Sequence, residues 1–361
     1  MRDAIIYGYD WAGAGTITRV ALAAARAGAK VLYCEGPGSV FRRAHTSLHE
    51  LESNLFTIKP RVLASRLNRY PGMSRIQGAA VASQILAHAD ALGLKQPSFV
   101  YAYPGLLLVP LCQAMKARGY LLVHVYANYW EGMEREHVEQ SDLTLVISRT
   151  AFHRLRARWG DKIHHIPHGV DLRYFRRLHA CPEQAPPLLA AIPRPRLGYA
   201  GGAAEEHLNT RVLRDLLERR PDWNFISFQW RPAHLGMKPA VSTSNAHVLP
   251  WQGPEGFARC VAGFDIGFMP YDCSNVVLFN GPPMKLWDYF ALGLPVVATP
   301  LIHLWEYEGL VYLGDTAKEL ERAVEAALAE PPDSPLRQKR KELAEEHSVE
   351  ALGQLLGGIL V

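Results

Sequence analysis

The sequence predicts an α/β protein made of two similar domains in tandem, each with a parallel β-sheet flanked by helices. Three observations lead to this fold class. The 361 residues, 48% of them hydrophobic, are enough for two cores of ordinary domain size. Both halves open with a strand, a glycine-containing turn, a helix and a second strand. A Pro-rich stretch at 181–195 separates the halves. We therefore expect two Rossmann-like domains.

The two openings are predicted element by element. In the first half, the apolar run 4–9 indicates a strand, WAGAG a Gly-rich turn, 16–27 an Ala-rich helix and 30–34 a strand. In the second half the corresponding elements are a strand at 195–200, a turn at Gly201 and Gly202, a helix at 208–220 and a strand at 223–228. Neither turn is a complete G-x-G-x-x-G motif, so each glycine pair by itself is a weak nucleotide signal.

The segment 280–300, NGPPMKLWDYFALGLPVVATP, is the most informative part of the chain. Pro283 suits the first turn of a helix, and the N–H groups that follow favour an anion such as a diphosphate. Lys285 adds a full charge in that turn, and Asp288, three residues on, can accept from ribose hydroxyls. Gly293 ends the helix before a buried strand at 294–299. The alternative is an exposed ion pair between Lys285 and Asp288, worth about 0.2–0.5 kcal/mol.

This segment resembles the "K..EY.A.G.PVVAT" signature of GT-B glycosyltransferases, especially the large bacterial retaining family known as family 4-like or group 1. Three other stretches resemble the same enzymes: SDLTLVISRT at 141–150, IPHGVDLRYF at 166–175, and VLPWQGPEGFARCVAGFDIGFMPYD at 248–272. The similarity covers most of residues 120–300. The resemblance therefore extends beyond one motif.

The resemblance implies a GT-B fold, in which the last helix crosses back to the first domain. We accordingly expect an acceptor domain at 1–175, a linker at 176–194, a donor domain at 195–335 and C-terminal helices at 336–361 that pack on the first domain.

The resemblance also implies a donor site without a metal ion or other cofactor. Lys285 would bind the pyrophosphate and Asp288 the ribose, with Trp251 and Tyr271 as aromatic contacts. The complete expected donor set is Gly201, Gly202, Trp251, Tyr271, Asn280, Gly281, Pro283, Met284, Lys285 and Asp288. No strong metal-binding motif accompanies it, since neither i,i+4 histidine pair encloses the Glu of an H-E-x-x-H helix.

Two departures from the family leave the stereochemistry of transfer open. Retaining members carry a Glu eight residues before the ribose acid, where this chain has Asn280, and they place Arg and Lys after the first donor-domain strand, where this chain has GGAAEEHLN. An inverting enzyme would instead need a general base in the first domain. The candidates are Asp10, at the end of the first strand, and Glu131 or Glu134, after the strand at 121–126. For the acceptor we expect contacts with Trp11, Gly13 and Tyr103.

Charge is distributed unevenly along the chain. Residues 1–170 hold 20 Lys and Arg against 12 Asp and Glu, a net +8, whereas residues 171–361 hold 19 against 23, a net −4. Basic and apolar side chains alternate through 42–75, a mixture that suits an anionic membrane surface or an acidic lipid-linked acceptor. A solvated helix face is the alternative, and no aromatic-basic motif favours nucleic acid.

Other features fit a cytoplasmic protein that contacts a membrane peripherally, if at all. No apolar run reaches the roughly 18 residues of a spanning helix, and the first residues lack a signal-peptide pattern. The five cysteines form no C-x-x-C pair.

Together these features predict a metal-independent glycosyltransferase that moves a sugar from a nucleotide-sugar, expected to be UDP-linked, to a saccharide or lipid-linked acceptor. Two alternatives share its donor site: a GT-B sugar-nucleotide epimerase and a non-catalytic nucleotide-sugar-binding protein.

Overall fold

The computed structural model describes residues 1–8, 11, 15–39, 47–102, 107–126, 134–180, 186–202, 207–229, 241–274 and 283–360. The chain divides into two bodies. The first comprises residues 1–169 and 348–361, and the second comprises residues 170–347. Each body contains a parallel β-sheet with helices, so the predicted fold class is confirmed.

The first body is built on an eight-stranded sheet with the order β10-β9-β8-β7-β1-β2-β5-β4. Neighbouring strands are parallel except for β4, which is antiparallel to β5, and β3 pairs with β6 separately. The elements are β1 Ala4–Tyr7, α1 Thr16–Arg26, β2 Val31–Cys34, β3 Gly38–Ser39, β4 His49–Glu52, β5 Leu55–Ile58, β6 Arg61–Val62, α2 Pro71–Ala91, β7 Ser98–Tyr101, α3 Leu108–Ala117, β8 Leu121–Tyr126, α4 Glu134–Gln140, β9 Leu143–Val146, α5 Arg149–Trp159 and β10 Ile163–His165, with 3-10 helices at Ser65–Arg69 and Gly160–Lys162.

The central strands of this sheet are short and apolar because helices cover the parallel sheet. All four residues of β1 and of β2 are buried, which is typical of parallel strands. Gly28, with φ of +95°, follows α1 and turns the chain toward β2. Separate apolar clusters contain alternating residues of these strands, with Ile6 in one and Ile5 in another.

Two buried histidines lie together in the first body. His124 on β8 and His137 on α4 have ring centroids 5.3 Å apart, and the His124 ring stacks on Tyr101 at 5.3 Å. Burial, reinforced by the neighbouring His137, lowers the pKa of His124 to about 3. Both imidazoles are therefore held neutral in the folded protein at ordinary pH.

The second body is built on a six-stranded, wholly parallel sheet with the order β13-β12-β11-β14-β15-β16. Its elements are α6 Leu172–Ala180, α7 Pro187–Ala190, β11 Arg196–Gly202, α8 Thr210–Arg219, β12 Asn224–Gln229, β13 Ala246–Pro250, α9 Gly253–Ala262, β14 Ile266–Met269, α10 Lys285–Ala291, β15 Val296–Ala298, β16 Val311–Leu313, α11 Ala317–Leu328 and α12 Pro335–Glu346, with a 3-10 helix at Ile302–Tyr307.

The last helix, α13 Val349–Ile359, belongs to the first body, as predicted for the C-terminal helix. It packs on α1 so closely that a Cβ at Gly353 would lie 2.7 Å from the carbonyl oxygen of Ala23. Arg26 of α1 also pairs with Glu350 at 3.1 Å. Helix α13 therefore covers one side of α1.

The body limits differ from the predicted domain limits of 175, 194 and 335. The chain passes from one body to the other at Gly169–Val170, and the predicted linker 176–194 contains α7 and the end of α6. Helix α12, which was expected to pack on the first domain, belongs to the second body. There the indole of Trp287 stacks on His347, directly after α12, with centroids 3.7 Å apart.

In the described part of the chain, no helix combines the length and the apolar character needed to cross a bilayer.

Candidate nucleotide-binding site

The strand order of the second sheet identifies where a ligand can bind. Counted along this body, the order of the strands is 3-2-1-4-5-6, and the direction of winding reverses between β11 and β14. In open parallel sheets the crevice beyond the carboxyl ends of the strands at such a reversal is the usual ligand site. Gly201 and Gly202 end β11, and Tyr271 follows β14.

The glycines were predicted to form a turn, but both are the last residues of β11. Position 201 has little room for a side chain. A Cβ there would lie 3.2 Å from Lys285 Cε and 3.3 Å from the ring of Tyr199. Gly201 therefore lets the lysine of α10 approach the end of β11.

Helix α10 is fastened to β11 by one tyrosine. The Tyr289 hydroxyl donates to the carbonyl of Gly198 (2.8 Å) and accepts from the N–H of Ala200 (2.7 Å). A Cβ at position 267 in β14 would lie only 2.4 Å from the Tyr289 ring, so Gly267 leaves the space that this ring occupies. These contacts fix the position of Lys285 at the start of the helix.

The Lys285 ammonium lies against two tyrosine rings. Its Nζ is 4.4 Å from the ring centroid of Tyr199 and 5.0 Å from that of Tyr271, and it donates a hydrogen bond to the Tyr271 hydroxyl. Burial, and secondarily Tyr199, raises the pKa of Tyr271 well above its usual value. The phenol stays neutral, so it positions Lys285 without neutralising its charge. A fixed cation at a strand end can bind an anionic group.

Hydrogen bonds tie the ends of three neighbouring strands around this lysine. Leu208, after β11, forms a bridge with Tyr271, and the N–H of Asp272 donates to the carbonyl of His207 at 3.1 Å. The Thr299 hydroxyl, after β15, donates to the carbonyl of Tyr271 at 2.9 Å. Tyr271 is thus held by residues that follow β11 and β15, as well as by its own strand β14.

The start of α10 differs from the prediction. Pro283 lies before the helix, Met284 is its N-cap, and the N–H of Leu286 donates to the carbonyl of Pro283 at 2.9 Å. The helix has only seven residues, so its dipole is short and the full charge of Lys285 is the main positive feature. Asn280 and Gly281 lie outside the described residues.

Asp288 is buried, with 7% of its surface exposed, because the side chains of α10 from Leu286 to Ala291 are all buried. The described partners of Lys285 are tyrosines, so the exposed Lys285–Asp288 pair considered as the alternative is not what forms. Binding of ribose by Asp288 stays a prediction.

Trp251 lies apart from this cluster. It directly follows β13, and its ring is 5.2 Å from that of Phe257. Strand β13 is two places from β11 in the sheet, which corresponds to about 10 Å. The structure therefore brings together Gly201, Tyr271 and Lys285 of the expected donor set, with Trp251 toward one edge.

The first sheet has an equivalent reversal between β1 and β7. Strands β1 and β7 are neighbours, with Tyr7 paired to Tyr101 at their carboxyl ends. Asp10, Gly13, Tyr103 and Glu131 lie outside the described residues.

Trp11 is the described member of the acceptor set. Its backbone N–H donates to the Glu35 carboxylate at 2.9 Å, and its ring meets that of Tyr33 edge-on at 5.0 Å. Lys59 pairs with the same carboxylate at 3.4 Å. Glu35 thus joins the chain segments that follow β1, β2 and β5.

Sequence reasoning missed Glu35 and Tyr199. Glu35 directly follows the second strand, where nucleotide-binding folds often carry an acid, and this position was a usable signal. Tyr199 lies inside a strand, and its contact with Lys285 depends on the packing of α10, which the sequence does not reveal.

Known proteins resemble this chain in sequence and in fold. No protein-family model matches the chain. Over 200 residues it is 26% identical to a protein of Bacillus subtilis (strain 168) named "Putative teichuronic acid biosynthesis glycosyltransferase TuaH". The match covers 51% of this chain and 47% of that protein, so the chain spans about half the length of this curated relative.

Solved structures match over the whole chain. An α,α-trehalose-phosphate synthase (UDP-forming) from Burkholderia xenovorans, in complex with glucose-6-phosphate, has a TM-score of 0.69 at 12% identity, with all of both chains covered. Anabaena Alr3699/HepE, in complex with UDP and glucose, has a TM-score of 0.63 at 13% identity and covers 100% of this chain and 99% of its own. The chain has the GT-B fold, and the predicted resemblance to GT-B glycosyltransferases is confirmed.

Proposed function

We propose that this protein is a glycosyltransferase that moves a sugar from a UDP-linked donor to a saccharide or lipid-linked acceptor. The observation that carries the proposal is the fixed ammonium of Lys285 beside Gly201, at the reversal point of the second sheet. The curated relative is named as a glycosyltransferase, and the Anabaena structure with the same fold holds UDP and glucose.

The chemistry of transfer explains why a lysine is needed there. As the glycosidic bond to the nucleotide breaks, negative charge grows on the departing diphosphate, and a preorganised cation stabilises that charge. Lys285 donates to the neutral phenol of Tyr271, so its charge is available to the phosphates. We propose that this arrangement acts without a divalent ion.

Other residues of the second body would complete the donor contacts. Asp288 would accept from the ribose hydroxyls, and the end of β11 would approach the phosphates. The donor set is Gly201, Gly202, Trp251, Tyr271, Asn280, Gly281, Pro283, Met284, Lys285 and Asp288.

The first body would hold the acceptor. Trp11, Gly13 and Tyr103 are the proposed contacts, and Asp10 or Glu131 would serve as general base if transfer inverts the anomeric centre. The described part of this site is Trp11, whose backbone is held by Glu35.

A lipid-linked acceptor would be met at a membrane. We propose a cytoplasmic protein in peripheral contact with the inner membrane face, with residues 42–75 as the contacting segment, because basic and apolar side chains alternate there.

Product analysis tests the activity. The purified protein is incubated with a panel of UDP-sugars labelled in the sugar, together with a membrane-lipid fraction, and the nucleotide and sugar products are separated. Release of UDP with the label in a new glycoside is the expected result. A new UDP-sugar epimer without UDP release would instead identify an epimerase, and binding without any product would identify a nucleotide-sugar-binding protein.

A further inference from the structure

A stretch of the first body lacks acidic residues altogether. Between Glu52 and Asp90 the sequence contains five Lys and Arg residues and no Asp or Glu. The stretch includes β6, the 3-10 helix Ser65–Arg69 and most of α2. A long segment with basic and no acidic side chains creates a positive electrostatic potential over the surface that it covers.

Two side-chain amides of α2 hold β6 and the residue that precedes the 3-10 helix. The Gln77 side chain accepts from the N–H of Ala64 at 3.3 Å and donates to its carbonyl at 3.2 Å. Gln84 makes the same two bonds with Arg61, both at 2.9 Å. The segment therefore presents its outer side chains from a defined backbone rather than from a flexible loop.

Large apolar side chains point to solvent on this segment. Leu63 and Tyr70 are each 50% exposed and Ile76 is 62% exposed. Three exposed arginines are interleaved with them in the sequence, and the Arg69 guanidinium lies 4.9 Å from the ring of Tyr70. We call these six residues the basic apolar surface: Leu63, Arg66, Arg69, Tyr70, Arg75 and Ile76.

The exposed face of α2 also lacks acidic side chains along most of its length. Beyond Ile76 it presents Ala79, Ala80, Ser83 and Ala87, and its first acid is Asp90, which is 3.5 Å from Arg118. A membrane-facing surface needs this absence of carboxylates, since each would be repelled by lipid phosphates.

We propose that the basic apolar surface docks the protein on a membrane that contains anionic lipid. The arginines would pair with lipid phosphates, and the half-exposed Leu63, Tyr70 and Ile76 would enter the interface. Charge complementarity alone would also suit a soluble polyanion, but exposed Leu and Ile gain nothing from one. The inference deepens the membrane contact proposed above, yet lipid binding is measured without sugar transfer, so either proposal can fail alone.

Vesicle sedimentation tests the inference on the full chain. The protein is mixed with vesicles of phosphatidylcholine alone or of phosphatidylcholine with phosphatidylglycerol. Binding to the anionic vesicles only is expected. The variant R66Q/R69Q/R75Q should bind about 100-fold more weakly, since each Arg near an anionic surface contributes about fivefold. The variant L63S/Y70S/I76S should also lose about fivefold per residue, because each side chain buries part of its apolar area.

A matched control separates the surface from bulk charge. R211Q/R214Q/R322Q removes three exposed arginines from the second body and should bind like the parent. Circular dichroism and melting temperatures show that each variant is folded. Equal binding to both vesicle types, parent-like binding by R66Q/R69Q/R75Q, or an equal loss in the control would overturn the proposal. Parent-like binding by L63S/Y70S/I76S would also overturn it, since a purely ionic surface would then suffice.

Discussion

Replacing Lys285 by alanine should weaken the binding of UDP by about 1–3 kcal/mol. The ammonium has three donors, and one is used by the Tyr271 hydroxyl, which leaves donors and a full charge for phosphate oxygens. A hydrogen bond to a charged group contributes about 1.5–3 kcal/mol, and the partial exposure of Lys285 moves the estimate toward the lower part of that range. The dissociation constant should rise about 5- to 150-fold.

Isothermal titration calorimetry with UDP measures this change directly and needs no acceptor. Lys318→Ala is the matched control, because Lys318 is an exposed lysine of α11 in the same body. It should bind UDP like the parent. If Lys285→Ala and the parent bind UDP with equal affinity, the assignment of the diphosphate to this lysine is wrong.

Three further outcomes are expected. Asp288→Asn should lower kcat/KM by an amount that corresponds to about 1–3 kcal/mol of lost transition-state stabilisation, because the amide lacks the charge and one acceptor. The melting temperature must stay unchanged if this loss is to report on ribose binding. Turnover should survive EDTA, and loss of activity that manganese restores would contradict the metal-independent proposal. The third outcome concerns acid stability. The pKa of His124 is lowered to about 3 in the folded protein. Below about pH 6.5 the unfolded chain therefore binds a proton at this residue that the folded protein does not. The free energy of unfolding then falls by about 1.4 kcal/mol per pH unit until the pH reaches the folded-state pKa. His124→Leu should therefore reduce the loss in unfolding free energy between about pH 7 and about pH 5 by about 2 kcal/mol, as measured by urea titration; an equal loss in parent and variant would contradict this reasoning.

Short-range patterns in the sequence predicted most elements of the fold. The strand at 121–126 has the predicted bounds, and the helix predicted at 208–220 runs from Thr210 to Arg219. Apolar runs between turn residues are local signals, and the strands of a parallel sheet covered by helices carry them as near-continuous hydrophobic runs. The position of Lys285 in the first turn of a helix also follows from such signals, and α10 begins at Lys285.

Features that depend on tertiary packing were not predictable in the same way. The alternative reading put Asp288 on an exposed helix face, but α10 is buried from Leu286 to Ala291, and Trp287 stacks on His347 directly after α12. The turn predicted at Gly201 rested on the usual role of glycine, whereas its actual role is to leave space for a side chain 84 positions later in the chain. Pro-rich composition placed the domain limit in 176–194, although the chain changes body at Gly169–Val170.

The return of α13 to the first body makes the second body an insertion in the first. During synthesis the ribosome completes residues 170–347 before the helix that covers α1 exists. The second body can therefore fold while the first still exposes the apolar face of α1, against which Leu352 and Leu356 pack in the finished protein. A nascent chain halted before Val349 would carry a complete second sheet together with an unfinished first body. Chaperone binding or aggregation should concentrate on that intermediate.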